Sequence, residues 1–182
     1  MENLHQLLVE RHSIRRYTDE PVSAEDVKTI LQAALLAPSS KSARPWQFVV
    51  VEDKEVLATL GKCKPAGAVP VAKAAFAVVV ISDPEKSDVF IEDTTVAATL
   101  MQLQAADLGL GSCWVQIRNR FSADGQPAEE LIQQTLNIPQ YLPVECIVTF
   151  GYKNETRRPV DESKLLWEKV HIGTWKDIEA AQ

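Results

Sequence analysis

Leu4, Leu7 and Leu8 recur at helical spacing near the start of the chain, which predicts a short amphipathic helix. Pro21 breaks the chain before a second helix. Ser23-Ala24-Glu25-Asp26 then reads as an N-cap with an acidic residue three positions on. The helix it starts carries Val27, Ile30, Leu31, Ala34 and Leu35 on one face, and Pro38 stops it by disfavouring helix at Ala37. From Trp46 to Val51 the residues become β-branched and aromatic, which predicts a buried strand. Asp53 can cap a short helix through Leu60, with Gly61 as terminator. Residues 62–71, with Pro65, Gly67 and Pro70, have loop chemistry.

Ala74 to Ser82 is apolar nearly throughout and is therefore expected at the centre of a sheet. A helix from about Val89 to Leu108 has Val96, Ala97, Leu100, Leu103 and Leu108 spread over much of its circumference. Such a helix is buried in a core or against a second subunit. Gly109-Leu110-Gly111 closes it, and Ser112 to Ile117 predicts a further strand. Pro127 suits the first turn of a helix carrying Leu131, Ile132 and Leu136, and Pro143 to Tyr152 is the last strand. The charged tail beyond Arg157 still holds Trp167, Val170, Ile172 and Trp175, which need a surface to bury them. A second copy of the chain is the expected one. Strands and helices interleave without repeat or linker, so one α+β sandwich over residues 1–182 is predicted.

Composition narrows the function. A chain of 182 residues with 46% hydrophobic side chains can bury one sizeable core. A net charge of −6 repels polyanions at long range and argues against nucleic acid or an anionic membrane as partner. Cys63, Cys113 and Cys146 are odd in number and form no CxxC pair, so reduced thiols are expected. His5, His12 and His171 are scattered and give no metal spacing, hence no metal is expected. The start of the chain lacks a leader's basic and apolar regions, and the run from Ala74 to Ile81 is too short to cross a bilayer. A cytoplasmic location is the expectation.

Candidate chemistry is concentrated in two places. Arg11-His12-Ser13-Ile14-Arg15-Arg16-Tyr17 sets three guanidinium groups together in an acidic chain, and the arginine fork suits a phosphate. A helical turn would align Arg11 with Arg15. The plainer reading is a solvated loop paired with Asp19, Glu20 and Glu25. Pro38-Ser39-Ser40-Lys41-Ser42 leads from a helix stop towards Pro45-Trp46; these serines are either turn residues or donors to a polar cofactor edge. Ser13 beside His12 lacks a nucleophile elbow, and the glycines at 109 and 111 follow a helix and not a strand. Neither a hydrolase triad nor a Rossmann site is supported. Cys113 and Trp114 can be core filler, Asp93 can serve a helix dipole, and Arg157-Arg158 matters only if it folds back onto the first cluster.

Four elements in order carry a resemblance: Arg-x-Ser-x-Arg from residue 11, Pro-Ser-Ser with Pro-Trp between 38 and 46, Leu-Gly-Leu-Gly-Ser-Cys-Trp from 108 to 114, and Gly151-Tyr152 ahead of Arg157-Arg158. Over roughly residues 5–175 the chain resembles the FMN-dependent nitroreductase family. The resemblance implies an α+β homodimer with a central mixed, mostly antiparallel sheet flanked by helices and a C-terminal tail wrapping the partner subunit. It implies that Arg11, His12, Ser13 and Arg15 face the FMN of their own subunit, Arg11 and Ser13 mainly at the phosphate and ribityl end and Arg15 nearer the pyrimidine edge. Arg157 and Arg158 would complete the phosphate pocket, and Pro38, Ser39, Ser40 and Ser42 would arrive from the opposite subunit. Trp114, Val115 and Gln116 would line the ring system largely through backbone, with Gln116 placing a donor near N5. Ser42 stands where Asn is frequent in the family and Arg44 where Gln is frequent.

The activity so implied is hydride transfer from NADH or NADPH through flavin N5 to nitroaromatics, quinones or flavins, in ping-pong turnover. The chemistry resides on the flavin, and Arg15 and Gln116 tune it. Three alternatives stand beside it. One is a non-catalytic flavin-binding or regulatory protein. A second is specialised flavin chemistry such as reductive dehalogenation or flavin fragmentation, for which a chain this short leaves little room for a lid. A third is an interaction domain without cofactor, in which the clustered arginines would repel each other.

Overall fold

Four strands form the centre of the molecule: β1 (Trp46–Val51), β2 (Phe76–Ser82), β3 (Gly111–Gln116) and β4 (Val144–Gly151). They lie in the order β1-β2-β4-β3, every neighbouring pair antiparallel. An isolated parallel bridge between Ser13 and Ser112 lies beside this sheet, outside its four strands. The structure is a computed structural model and describes residues 3–175.

Side chains alternate across a strand, so β2 serves two cores at once. Ala77, Val79 and Ile81 face one layer, together with Leu57, Leu60, Val71 and Ile132 from α3 (Lys54–Leu60), α4 (Val69–Lys73) and α6 (Ala128–Leu136). Phe76, Val78 and Val80 face the other, with Ile30 and Ala34 from α2 (Ala24–Leu35) and Ala97, Ala98 and Met101 from α5 (Phe90–Asp107). This double burial is why the sequence of β2 is continuously apolar and does not alternate. Phe76 and Phe150 stack at 4.8 Å between ring centres and close the second core.

Two local expectations change. Residues 62–71 are not all loop: α4 starts at Val69, with Pro70 in its first turn where a missing N–H costs nothing. Gly61 does follow α3, but in right-handed backbone at φ −62°. Its value is close packing, because a Cβ there would stand 2.9 Å from the Ala72 Cβ. The tail is exposed along one chain, with Trp167 at 70% and Trp175 at 77% of their full accessibility. Among the described residues no helix is long and apolar enough to cross a membrane.

Candidate functional site

The arginine segment is held down by two glycines. Helix α1 (Leu4–Glu10) ends at Arg11, whose φ of −68° and ψ of 139° are extended. The helical turn that would align Arg11 with Arg15 is therefore absent. The chain instead runs along the outside of β3, where the Ile14 N–H donates to the Ser112 carbonyl at 2.8 Å. On extended backbone the period is two, which sets Arg11, Ser13 and Arg15 on one side. Gly111 and Gly151 face each other in the β3–β4 ladder. A Cβ on Gly111 would lie 2.8 Å from the Ile14 Cβ, and one on Gly151 would lie 3.0 Å from the Tyr17 ring. Both glycines are required by this approach and not by their φ.

Tyr17 locks the segment. Its hydroxyl donates to the Ile14 carbonyl at 2.6 Å and lies 2.7 Å from the Thr149 hydroxyl, which in turn reaches the Cys113 carbonyl at 3.3 Å. Burial drives the phenol well above its ordinary pKa, with the Thr149 hydrogen bond opposing, so it stays a donor. Tyr17→Phe leaves the buried Ile14 carbonyl without this donor. The expected loss is about 1–3 kcal/mol of stability, read from urea denaturation.

The other chain end meets this segment through Glu155. Its carboxylate accepts from the backbone N–H of Arg15 at 2.6 Å and of Arg16 at 3.3 Å, and pairs with the Arg157 guanidinium at 2.8 Å. The Asn154 N–H donates to the Arg16 carbonyl, and the Val160 N–H to the Val9 carbonyl, both at 2.9 Å. Among the described residues no guanidinium of Arg11, Arg15 or Arg16 pairs with Asp19, Glu20 or Glu25 as the plainer reading has it; Glu155 meets the segment through its backbone and pairs with the side chain of Arg157 alone. Arg11, His12, Ser13, Arg15 and Arg157 consequently line one recess of about 360 Å³ with Leu8 and Val160. An adjoining recess of about 380 Å³ shares Arg11, His12 and Arg157 and adds Ser112, Lys153 and Thr156. Arg158 is exposed and lines neither.

The Arg15 N–H holds the Glu155 carboxyl below its usual pKa; partial burial opposes this, while the Arg157 charge and the Arg16 N–H add to it. A folded value below the unfolded one stabilises the protein at pH above the ordinary carboxylate range. That contribution disappears as pH falls through the depressed value. Wild-type protein is expected to lose melting temperature more steeply than Glu155→Gln as pH drops below about 4, measured by thermal unfolding across a pH series.

β3 ends the sheet, so alternate backbone groups on its outer side belong to no ladder. The Ser112 carbonyl is one of these, taken by Ile14, and the Gln116 carbonyl is another, taken by Lys64 Nζ at 2.7 Å. By the same alternation the Trp114 N–H and C=O and the Gln116 N–H point outward. Val115 turns its side chain into the core. The carboxamide of Gln116 is committed within the chain: its Nε2 donates to the Arg118 carbonyl at 3.1 Å and its Oε1 accepts from Trp114 Nε1 at 2.9 Å. The donor Gln116 can offer outward is its backbone N–H. An ion pair of Arg118 with the buried Glu145, 2.9 Å apart, anchors this end of the strand.

Pro38, Ser39, Ser40 and Ser42 lie elsewhere. Their turn leads into β1, three strand spacings from β3, or roughly 14 Å. They line neither arginine recess. The turn is strained: Lys41, Ser42 and Arg44 all have φ near +50°, a region non-glycine residues rarely adopt. The Ser40 N–H donates to Asp93 at 2.9 Å, the Arg44 N–H donates to Ser39 Oγ at 3.0 Å, and Ser87 also donates to Asp93. Asp93 is thus the buried anchor of the turn, and not merely a residue at the dipole of its helix.

The donor set suits a phosphate at the Arg11–Arg157 end and the polar edge of a flat heterocycle along β3, which are the two halves of FMN. Glu155 and Lys64 stand in no motif, whereas Gly111 and Gly151 lie inside the quoted motifs without their packing role being legible there. Among the described residues no group of His, Cys, Asp or Glu is placed to hold a metal, and all three cysteines are buried and unpaired.

Relatives support this chemistry. The profile of the Nitroreductase family matches residues 8–68 and 62–152. A protein of Archaeoglobus fulgidus with the provisional name NADH dehydrogenase/NAD(P)H nitroreductase is 32% identical over 180 residues, which are 96% of this chain and 100% of that one. Among solved structures, an FMN-dependent nitroreductase from Clostridium difficile superposes with a TM-score of 0.92 at 45% identity, over 94% of this chain and 99% of its own. A Parabacteroides distasonis protein, provisionally named NADH dehydrogenase/NAD(P)H nitroreductase, gives 0.85 at 28% identity over 96% and 100%. Matched in sequence and in backbone over nearly its whole length, the chain belongs to the nitroreductase family.

Proposed function

We propose that this nitroreductase-family oxidoreductase is a single FMN-binding domain over residues 1–182 that works as a homodimer. It takes hydride from NADH or NADPH and delivers it to nitroaromatic, quinone or flavin acceptors. The observation that carries the proposal is the meeting of Arg11 and Arg157, from opposite chain ends, in one recess beside the open edge of β3. FMN bound there supplies the hydride-accepting and hydride-donating centre at its N5.

The chain's own groups do the rest. Arg11, Ser13 and Arg157 hold the phosphate end, with His12 at the wall of the same recess. Arg15, its backbone fixed by Glu155 and its guanidinium 3.3 Å from the Ser13 carbonyl, would serve the pyrimidine edge, where a positive charge favours the charge gained on reduction. The outward backbone of Trp114 and Gln116 orients the ring, and Val115 anchors that strand in the core. Arg158 contributes long-range attraction from outside the recess. Donor and acceptor then use one cleft in turn, which demands ping-pong kinetics.

Two features support the homodimer. Pro38, Ser39, Ser40 and Ser42 cannot reach the arginines within one chain and would come from a second copy. Leu165, Leu166, Trp167 and Val170 are exposed on the tail, while α1, α2 and α5 frame an apolar recess of about 480 Å³ lined by Leu4, Leu7, Leu36, Leu100 and Leu103.

The test combines three measurements on purified protein. A flavin absorbance band retained after FMN addition and gel filtration, elution at twice the chain mass, and NADH or NADPH oxidation with menadione are expected. No bound flavin overturns the proposal. Bound flavin without turnover on any acceptor favours the non-catalytic reading.

A further inference from the structure

Lys64 belongs to none of the sequence motifs and sits between α3 and α4, yet it reaches the far end of the open strand edge. Its Nζ donates to the Gln116 carbonyl at 2.7 Å. Ile14 closes the other end at the Ser112 carbonyl. Between these two caps runs roughly 13 Å of strand, at about 3.3 Å per residue, on which Trp114 and Gln116 are half-buried and Cys113 and Val115 buried. That interval carries the outward groups of Trp114 and the N–H of Gln116.

The charge on Lys64 is poorly compensated. Among the described residues no carboxylate stands within ion-pair distance of it, whereas Arg118 and Arg157 each have one. Burial lowers its pKa, Cys63 and Cys113 oppose that, and Arg120 adds to it. A partly desolvated ammonium whose hydrogen bond goes to a neutral carbonyl gains from an anion placed beside it. The two cations stand along one strand: Lys64 Nζ is held at the Gln116 carbonyl of β3, and Arg15 follows the Ser13–Ser112 bridge at the other end of the same strand.

Resting on the FMN reading above, we propose that Lys64 is a positioning residue that sets the flavin potential. It holds the Gln116 backbone in register, and it presents a second cation, with Arg15, to the negative charge that a bound isoalloxazine gains on reduction.

The test uses the full chain loaded with FMN. Lys64→Met keeps the length of the side chain and removes its charge. Reduced FMN is expected to bind at least tenfold more weakly relative to oxidised FMN, a fall of about 30 mV in two-electron midpoint potential, read by spectroelectrochemistry. Lys64→Arg is expected to return the ratio to within threefold of wild type. Lys64→Gln gives the same comparison should the methionine variant not fold. A wild-type potential in the uncharged variant, with or without weaker binding of oxidised FMN, overturns the inference and leaves the FMN reading intact. A wild-type protein that takes up no FMN overturns both.

Discussion

Gly111→Ala is expected to weaken FMN binding at least tenfold and to destabilise the fold by about 1–3 kcal/mol, the usual cost of overpacking. The added methyl would stand 2.8 Å from both Cβ and Cγ2 of Ile14. Neither atom is the free end of a flexible side chain, so the backbone of the arginine segment must move. That segment hangs on the Ile14–Ser112 hydrogen bond and the Tyr17 hydroxyl, and Arg11, Ser13 and Arg15 move with it. Gly109→Ala is the matched control two residues away. Gly109 has φ +79° and open space around its missing Cβ. Alanine there costs about 1–2 kcal/mol of left-handed strain without pressing on the segment, so FMN affinity is expected to stay within threefold. Fluorescence titration with FMN and urea denaturation of both variants separate the two effects. Equal FMN affinity in the Gly111 and Gly109 variants would refute the proposed link between that glycine and the recess.

Arg11→Ala and Arg157→Ala are each expected to reduce FMN affinity by about 10- to 100-fold, since a hydrogen bond to a charged group contributes roughly 1.5–3 kcal/mol. The two side chains line one recess and, on the proposed reading, would address one phosphate, so their effects should not add. Arg157 has a further constraint: its guanidinium already pairs with Glu155 at 2.8 Å, which aims it and also offsets part of its charge. Arg157→Lys keeps the charge but loses the planar fork, and an intermediate loss is expected. Riboflavin, which lacks the phosphate, provides the internal reference. Its affinity should barely change in either alanine variant, and an equal loss for riboflavin and FMN would move the phosphate away from these arginines.

Most secondary structure was legible because burial imposes a period. Val27, Ile30 and Ala34 mark the inner face of α2, and the unbroken apolar run of β2 reflects two cores rather than one. Legibility failed where one residue type serves two geometries. Arg11 and Arg15 have the spacing of a helix face, yet the segment is extended, because pairing with β3 satisfies the Ile14 backbone that a helix would have satisfied internally. Pro70 reads equally as loop or as a first helical turn, and packing of Val71 into the core decided for the helix. Asp93 reads as a dipole residue, and only the fold brings the Ser40 N–H to it.

By itself the sequence determined the class of the fold, the register of its buried faces and the residue types able to grip a phosphate, since these follow from local periodicity and side-chain chemistry. Tertiary structure alone decided that Glu155 fixes the arginine backbone and that Lys64 reaches Gln116, whereas the meeting of Arg11 with Arg157 was expected only through the family resemblance. Those contacts join positions far apart in the chain, and the sheet order that unites them leaves no periodic trace in either partner. The same sheet order, by setting β1 and β3 on opposite edges, separates the serine turn from the arginines it resembles a partner for.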